Sequence, residues 1–215
     1  GRAYTTEPVE LILAGVALAL GELFGAARAT VDFESHGRAD LPRPIPLERT
    51  VGWLTAIHPL LVPTGPGIGE AVLGAKEALR RVPHAGVGYG ALAEAGRLVR
   101  RPARVCFNYF GVDRPDIGVS PLPAGSDITM ENPADYTVLV TARVTEDQLR
   151  LTVDWAGEPD DRLAAERLAA AVRDKVKAVV EHCVAQAETV RTISDFDAGL
   201  DAVDLDRLNQ LVEGL

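Results

Sequence analysis

The sequence predicts an α/β (α+β) lobe in which a mixed β-sheet is covered by long helices. Three observations carry this. Alternating, β-branched segments recur at wide spacing, with helical runs between them. Residues 160–187 form one long amphipathic pattern, with Leu163, Leu168, Val172, Val176 and Val179 near the period of about 3.6 residues. The stretches 136–144 and 149–155 flank a short polar turn, the pattern of a hairpin. At 215 residues, 47% apolar and 25% charged, the chain fits one domain, or one large lobe of a two-lobed domain.

Taken in order, Thr6 and Pro8 open the first helix, a hydroxyl cap followed by a proline in the first turn. The Ala/Leu-rich run 9–24 continues it and Gly25 closes it. Apolar on most faces, this helix is expected to be largely buried. Residues 29–34 alternate, Val31 and Phe33 on one side and Thr30, Asp32 and Glu34 on the other, which makes a strand ending in a polar loop. Pro42, Pro44 and Pro46 make an extended connection. Residues 51–62 read as a strand that Pro59 kinks or ends, with Trp53 in the core. A turn at 63–69, helices at 71–81 and 89–99, and a strand at 104–110 follow. A Pro/Gly-rich stretch, 111–133, precedes the hairpin and the long helix, and the tail holds a second capped helix at 204–211.

The formal net charge is −9, from 31 acidic and 22 basic side chains, with no basic stripe, which argues against a nucleic-acid partner. The densest basic cluster, Arg97, Arg100, Arg101 and Arg104, reads as a solvated helix end or turn. Cys106 and Cys183 lack CxxC partners and read as buried free thiols, with neither zinc nor a disulfide. The apolar run 9–20 is too short for a bilayer, and no signal peptide opens the chain, so the expectation is a cytoplasmic protein without membrane contact. Beginning without Met, the chain also reads as part of a longer polypeptide.

Four segments, in order, resemble the signature series of epimerization domains in non-ribosomal peptide synthetases. Glu34-Ser35-His36-Gly37-Arg38 resembles E-G-H-G-R-E, and the run from Arg49-Thr50-Val51-Gly52-Trp53 to His58-Pro59 resembles R-T-V-G-W-F-T-x-x-Y-P. Pro83-His84-Ala85-Gly86-Val87-Gly88-Tyr89-Gly90 resembles P-x-x-G-x-G-Y-G, and Phe107-Asn108-Tyr109-Phe110-Gly111 resembles F-N-Y-L-G. The tail, with Ser194-Asp195-Phe196 and Asp204-Leu205-Asp206, is similar to the linker that follows such domains. Ser35, Ala39, Leu54 and His58 depart from the family pattern. The family's H-H-x-x-x-D-G motif has no counterpart, since the chain has no His-His pair.

The resemblance implies one of two chloramphenicol-acetyltransferase-like lobes flanking a tunnel: residues 1–188 as the C-terminal lobe of an epimerization or condensation domain, and 189–215 as a linker with a short helix. It implies no directly bound cofactor, the substrate arriving on the phosphopantetheine arm of a peptidyl carrier protein. The other implied partners are an N-terminal lobe carrying H-H-x-x-x-D-G and adjacent synthetase domains.

Inverting an α carbon requires removing its proton and returning one on the opposite face, so two acid/base groups are needed. The resemblance assigns one to the absent His motif and the other to Glu34. The alternative for Glu34 is a strand-end carboxylate paired with Arg38 or Arg49. Asn108 and Tyr109, a polar pair in an apolar strand, are candidates for positioning substrate or supporting the intermediate, or else a satisfied core pair. His36, Arg38 and Arg49 are structural support: His36 by hydrogen bonding, Arg38 by bracing the loop, Arg49 at a strand boundary. The glycines of 86–90 lack the Lys-Ser/Thr of a phosphate loop and read as tight packing at a helix start. His58 and His182 have no ligand partner at metal spacing, and no serine sits in a G-x-S-x-G elbow. The expected function is α-carbon epimerization of a carrier-bound residue by the intact protein, with the isolated chain inactive. A peptide-bond-forming condensation lobe and a non-catalytic docking lobe are the alternatives.

Overall fold

Alanine, leucine and valine on nearly every face give the first helix, α1 (Pro8–Phe24), no side that belongs in water, and Ile12 through Leu20 are almost continuously buried. The computed structural model describes residues 1–39, 41, 45–47, 49–113, 136–156, 162–196 and 203–204. Pro8 sits in the first turn of α1, but the cap is Glu7, not Thr6: the Glu10 carboxylate accepts the Glu7 N–H at 2.8 Å. Thr6 turns instead toward the Gly1 carbonyl. Gly25, at φ +62°, ends the helix in the left-handed conformation.

Among the described residues five strands form one sheet in the order β2-β1-β3-β4-β5: β1 (Arg28–Ser35), β2 (Ala56–Pro63), β3 (Val105–Val112), β4 (Val138–Thr145) and β5 (Gln148–Trp155). The pairs β1–β3 and β3–β4 are parallel and β4–β5 is antiparallel, so the sheet is mixed as its element order predicts. Glu146 and Asp147, at φ +51° and +59°, make the two-residue turn between β4 and β5. That positive-φ pair matches the twist of the flanking strands. Pro59 neither ends nor breaks β2, because an edge strand tolerates a missing N–H.

Among the described residues the further α-helices of a full turn or more are α2 (Ile68–Arg80), α3 (Tyr89–Glu94) and α4 (Arg162–Ala185). Of the stripe expected on α4, Leu168, Val172, Val176 and Val179 are buried, while Leu163 at the first turn is exposed. The second short helix is half the expected span and stops at Glu94. The helix expected at 204–211 falls almost wholly outside the described residues, as do Pro42, Pro44 and most of 111–133.

The chain divides into two compact units. The first, 1–29 with 61–83 and 172–215, holds α1, α2 and most of α4. Within it Gly15 lets α1 approach α4: a Cβ there would lie 2.5 Å from the Val176 side chain and 2.9 Å from its backbone. The Lys76 ammonium, fully buried, donates to the Tyr4 carbonyl at 2.8 Å and to Asp195 Oδ2 at 2.6 Å. Arg80 bridges Glu10 and the other Asp195 oxygen. Burial pushes the Asp195 carboxyl up, but Lys76, the Thr192 N–H and Arg80 outweigh it and hold it below the usual carboxylate range. Val190 N–H donates to the Ala3 carbonyl, so 190–196 is stitched to this unit. The second unit, 30–60 with 84–171, contains every candidate site residue.

Candidate functional site

Strand β1 reaches the site as Asp32-Phe33-Glu34-Ser35, and its pairing decides which groups meet. In the parallel ladder with β3, Asp32 lies opposite Cys106, Phe33 opposite Phe107 and Glu34 opposite Asn108. Alternation puts Asp32, Glu34, Cys106 and Asn108 on one face, and Phe33 and Phe107 on the other, where their rings are 6.0 Å apart. Glu34 and Asn108, far apart in sequence, are thus neighbours, and the Asn108 side chain hydrogen-bonds the carboxylate.

Burial raises the Glu34 carboxyl above its ordinary range, and the Asn108 hydrogen bond opposes this only in part. The Cys106 thiol is pushed up to about 12, first by burial, then by the Glu34 and Asp32 charges. Glu34 has no arginine partner among the described residues: Arg38 is committed elsewhere and Arg49 lies exposed. Tyr109, one residue beyond Asn108, falls by alternation on the opposite face, in register with Ala142.

The loop after β1 is shaped by Gly37, at φ +65°, whose Cβ would fall 1.6 Å from the Leu54 carbonyl oxygen. No side chain fits there. The Arg38 guanidinium donates to the carbonyls of Leu47 and Thr50, and the Arg38 N–H donates to His36 Nδ1 at 3.0 Å. These bonds hold Leu47 and Thr50 against the loop instead of in β2, which starts only at Ala56. Trp53 is therefore not core, as the sequence suggests, but 88% exposed.

His58, on β2, has another setting than the sequence gives it. It is 3% exposed, edge-on to Phe33, and neither ring nitrogen has a hydrogen-bond partner among the described residues. Burial lowers its pKa, against an opposing pull from the Asp32 charge. Gly86, at φ +80°, lies over the ring, and a Cβ there would be 2.0 Å from Nδ1. Of the glycines at 86, 88 and 90, only Gly86 is in close contact. Asp32 and Trp155 also have unmet bonding among the described residues: Trp155 Nε1 has no partner, and Tyr136 donates to Asp32 Oδ2 at 3.1 Å while Oδ1 has none. The one sequence signal for Asp32 is a charge inside a strand, in phase with Glu34 and between Val31 and Phe33. No group of three His, Cys, Asp or Glu side chains suited to a metal ion occurs among the described residues. No helix among them is long and apolar enough to cross a membrane.

A parallel-cored mixed sheet with long helices, and a carboxylate, an amide and a tight Gly-Arg loop at the strand ends, define a lobe of the chloramphenicol-acetyltransferase-like class. The condensation-domain profile matches residues 2–199, and the chain belongs to the condensation-domain family. It is 30% identical over 225 residues to bacitracin synthase 2 of Bacillus licheniformis, covering 98% of this chain and 8% of that protein. It is 29% identical over 235 residues to tyrocidine synthase 1 of Brevibacillus parabrevis, covering 98% of this chain and 22% of that one. The chain thus spans less than a quarter of the length of either relative. Among solved structures, the epimerization domain from the third module of tyrocidine synthetase B superposes with a TM-score of 0.75 at 26% identity, covering 86% of this chain and 44% of that one. The condensation domain of the Monacolin K polyketide synthase MokA, at 16% identity and a TM-score of 0.59, shares the fold, covering 85% of this chain and 42% of that one.

Proposed function

We propose that this chain is the C-terminal lobe of an epimerization domain, which in the intact protein inverts the α carbon of an aminoacyl or peptidyl thioester on a carrier protein. The observation that carries this reading is Glu34, a partly buried carboxyl with a raised pKa, oriented by Asn108 from the adjacent strand. A carboxylate moved toward neutral pH can both take and return a proton. The likeness to the tyrocidine synthetase epimerization domain supports the same choice.

In this reading Glu34 takes the α proton on one face, made acidic by the thioester carbonyl. A histidine of the N-terminal lobe's H-H-x-x-x-D-G motif delivers a proton on the other, and the reverse direction exchanges the roles. Asn108 positions the carboxylate. The Arg38-braced loop fixes where β1 ends. The substrate enters on a phosphopantetheine arm, the carrier and neighbouring synthetase domains are the partners, the setting is cytoplasmic, and the isolated chain is inactive. Peptide-bond condensation is the second reading, favoured by Ala39 and His58, which replace the Glu and Tyr of the epimerization motifs.

The test loads the carrier of the intact protein with an L-aminoacyl group and follows α-proton exchange in deuterated water. Exchange that disappears in Glu34→Gln supports the reading. Wild-type protein that forms peptide bonds but exchanges no α proton sinks it in favour of condensation.

A further inference from the structure

The sheet face that carries Glu34 and Asn108 continues past β3. Asn108 lies opposite Thr141 on β4, and Thr141 opposite Thr152 on β5, so Glu34, Asn108, Thr141 and Thr152 form one polar row across four strands. Burial along β4 follows the alternation: Val138, Val140 and Ala142 are buried, while Leu139 and Thr141 are half-buried and Arg143 is exposed. The Thr141 hydroxyl has no hydrogen-bond partner among the described residues, and unlike Asp32 Oδ1 it is not sealed from solvent. Two residues further along β4, Arg143 lies opposite Arg150 on the same open face. Like charges directly opposite each other destabilise a strand pair unless an anion answers them. Arg143 has Asp113 at 3.8 Å and lies over the Phe110 ring, but Arg150 has no partner among the described residues.

The spacing of these groups fits one ligand. With strands about 4.8 Å apart and about 3.3 Å per residue, Thr141 lies about 10 Å from Glu34 and Arg150 about 16 Å from it, Cα to Cα. In an extended phosphopantetheine thioester, at about 1.2 Å per bond, the first amide stands about 6 Å from the α carbon and the phosphate about 18 Å. The α carbon itself sits one contact distance from the Glu34 carboxyl. We propose that the open face of β4 and β5 seats the phosphopantetheine arm, with the Thr141 hydroxyl on the amide nearest the thioester and the Arg143–Arg150 pair on the phosphate. The placement of the α carbon at Glu34 rests on the epimerization reading. A peptide extending from the α nitrogen offers Thr141 the same amide chemistry, but it brings no fixed anion to the arginines, and that favours the arm.

The test uses the intact protein and leucyl thioesters of 1-propanethiol, N-acetylcysteamine, pantetheine and phosphopantetheine, which add the amide and then the phosphate in turn. The kcat/KM for α-proton exchange is expected to rise about fivefold or more from propanethiol to N-acetylcysteamine, and again from pantetheine to phosphopantetheine. Thr141→Val erases the first rise and Thr141→Ser retains it. Arg150→Gln cuts the second to about twofold or less. Equal rates across either step overturn the role of the residue assigned to it. A Thr141→Val loss seen with a peptidyl group but not with leucyl puts the upstream peptide at Thr141 and overturns the arm.

Absence of exchange with every thioester removes the epimerization reading instead, and equilibrium binding to the same protein then decides the arm site. Phosphopantetheine, pantetheine and inorganic phosphate are titrated separately. Phosphopantetheine that binds about fivefold or more tighter than either of the others, with the advantage lost in Arg150→Gln, upholds the site. Phosphopantetheine that binds no tighter than pantetheine or inorganic phosphate overturns it.

Discussion

Glu34 and Asn108 are register partners on adjacent parallel strands, and the amide of one hydrogen-bonds the carboxylate of the other. That bond favours the ionised acid, while burial favours the neutral one and prevails. On the proposed epimerization reading, exchange by the intact protein with Glu34 as base is expected to rise with pH through its raised pKa. Asn108→Ala removes the one opposing influence, so the acid limb of the profile moves to higher pH and the rate falls about tenfold or more. An acid limb that stays in place would show that Asn108 does not position Glu34.

Asp195→Ala strands the fully buried Lys76 ammonium and is expected to cost about 3–5 kcal/mol, read as a lower urea midpoint. Lys76→Met costs much less, because Arg80 still answers the Asp195 carboxylate. The Asp195 pKa is depressed, so the stability it contributes is present above the ordinary carboxylate range and is lost as the pH falls through its folded value. A wild-type urea midpoint insensitive to acid in that range would contradict this.

His58 gives the opposite electrostatic case. Its folded pKa lies below the ordinary 6.5, so the unfolded chain binds the proton more readily. Stability present above that value is lost as the pH falls through it. His58→Phe, which keeps a ring beneath Gly86, should flatten the difference between urea midpoints at about pH 7.5 and pH 5.5. Gly86→Ala puts a Cβ 2.0 Å from Nδ1 at a positive φ, and should destabilise by about 1–3 kcal/mol at either pH.

Gly37→Ala tests the loop. With its Cβ 1.6 Å from the Leu54 carbonyl oxygen, the backbone must move and Arg38 must release Leu47 and Thr50. The expected outcome is a loss of about 1–3 kcal/mol together with altered fluorescence of the exposed Trp53. Arg38→Lys, which cannot span both carbonyls in the same way, should reproduce the fluorescence change at smaller cost in stability.

The strand expected at 104–110, found at Val105–Val112, and the hairpin were legible because a two-residue period and a polar turn are local signals. Trp53 misleads because apolar character says nothing about where its backbone bonds go, and Arg38 draws that backbone away from the sheet. The helix cap shifts to Glu7 because the Glu10 carboxylate reaches back to it.

By itself the sequence determined the element types, the mixed-sheet class and the family's motif series, with Glu34 and Asn108 among its residues. Periodicity, turn chemistry and short motifs are written in consecutive residues. Only the tertiary structure decided that Glu34 meets Asn108 and that Tyr109 lies on the other face. It alone left Asp32 and His58 buried with unmet bonds, and buried Lys76 against Asp195. Each of these depends on which distant strand or helix supplies the neighbour, and on whether water is excluded, and neither is encoded in any local run of residues.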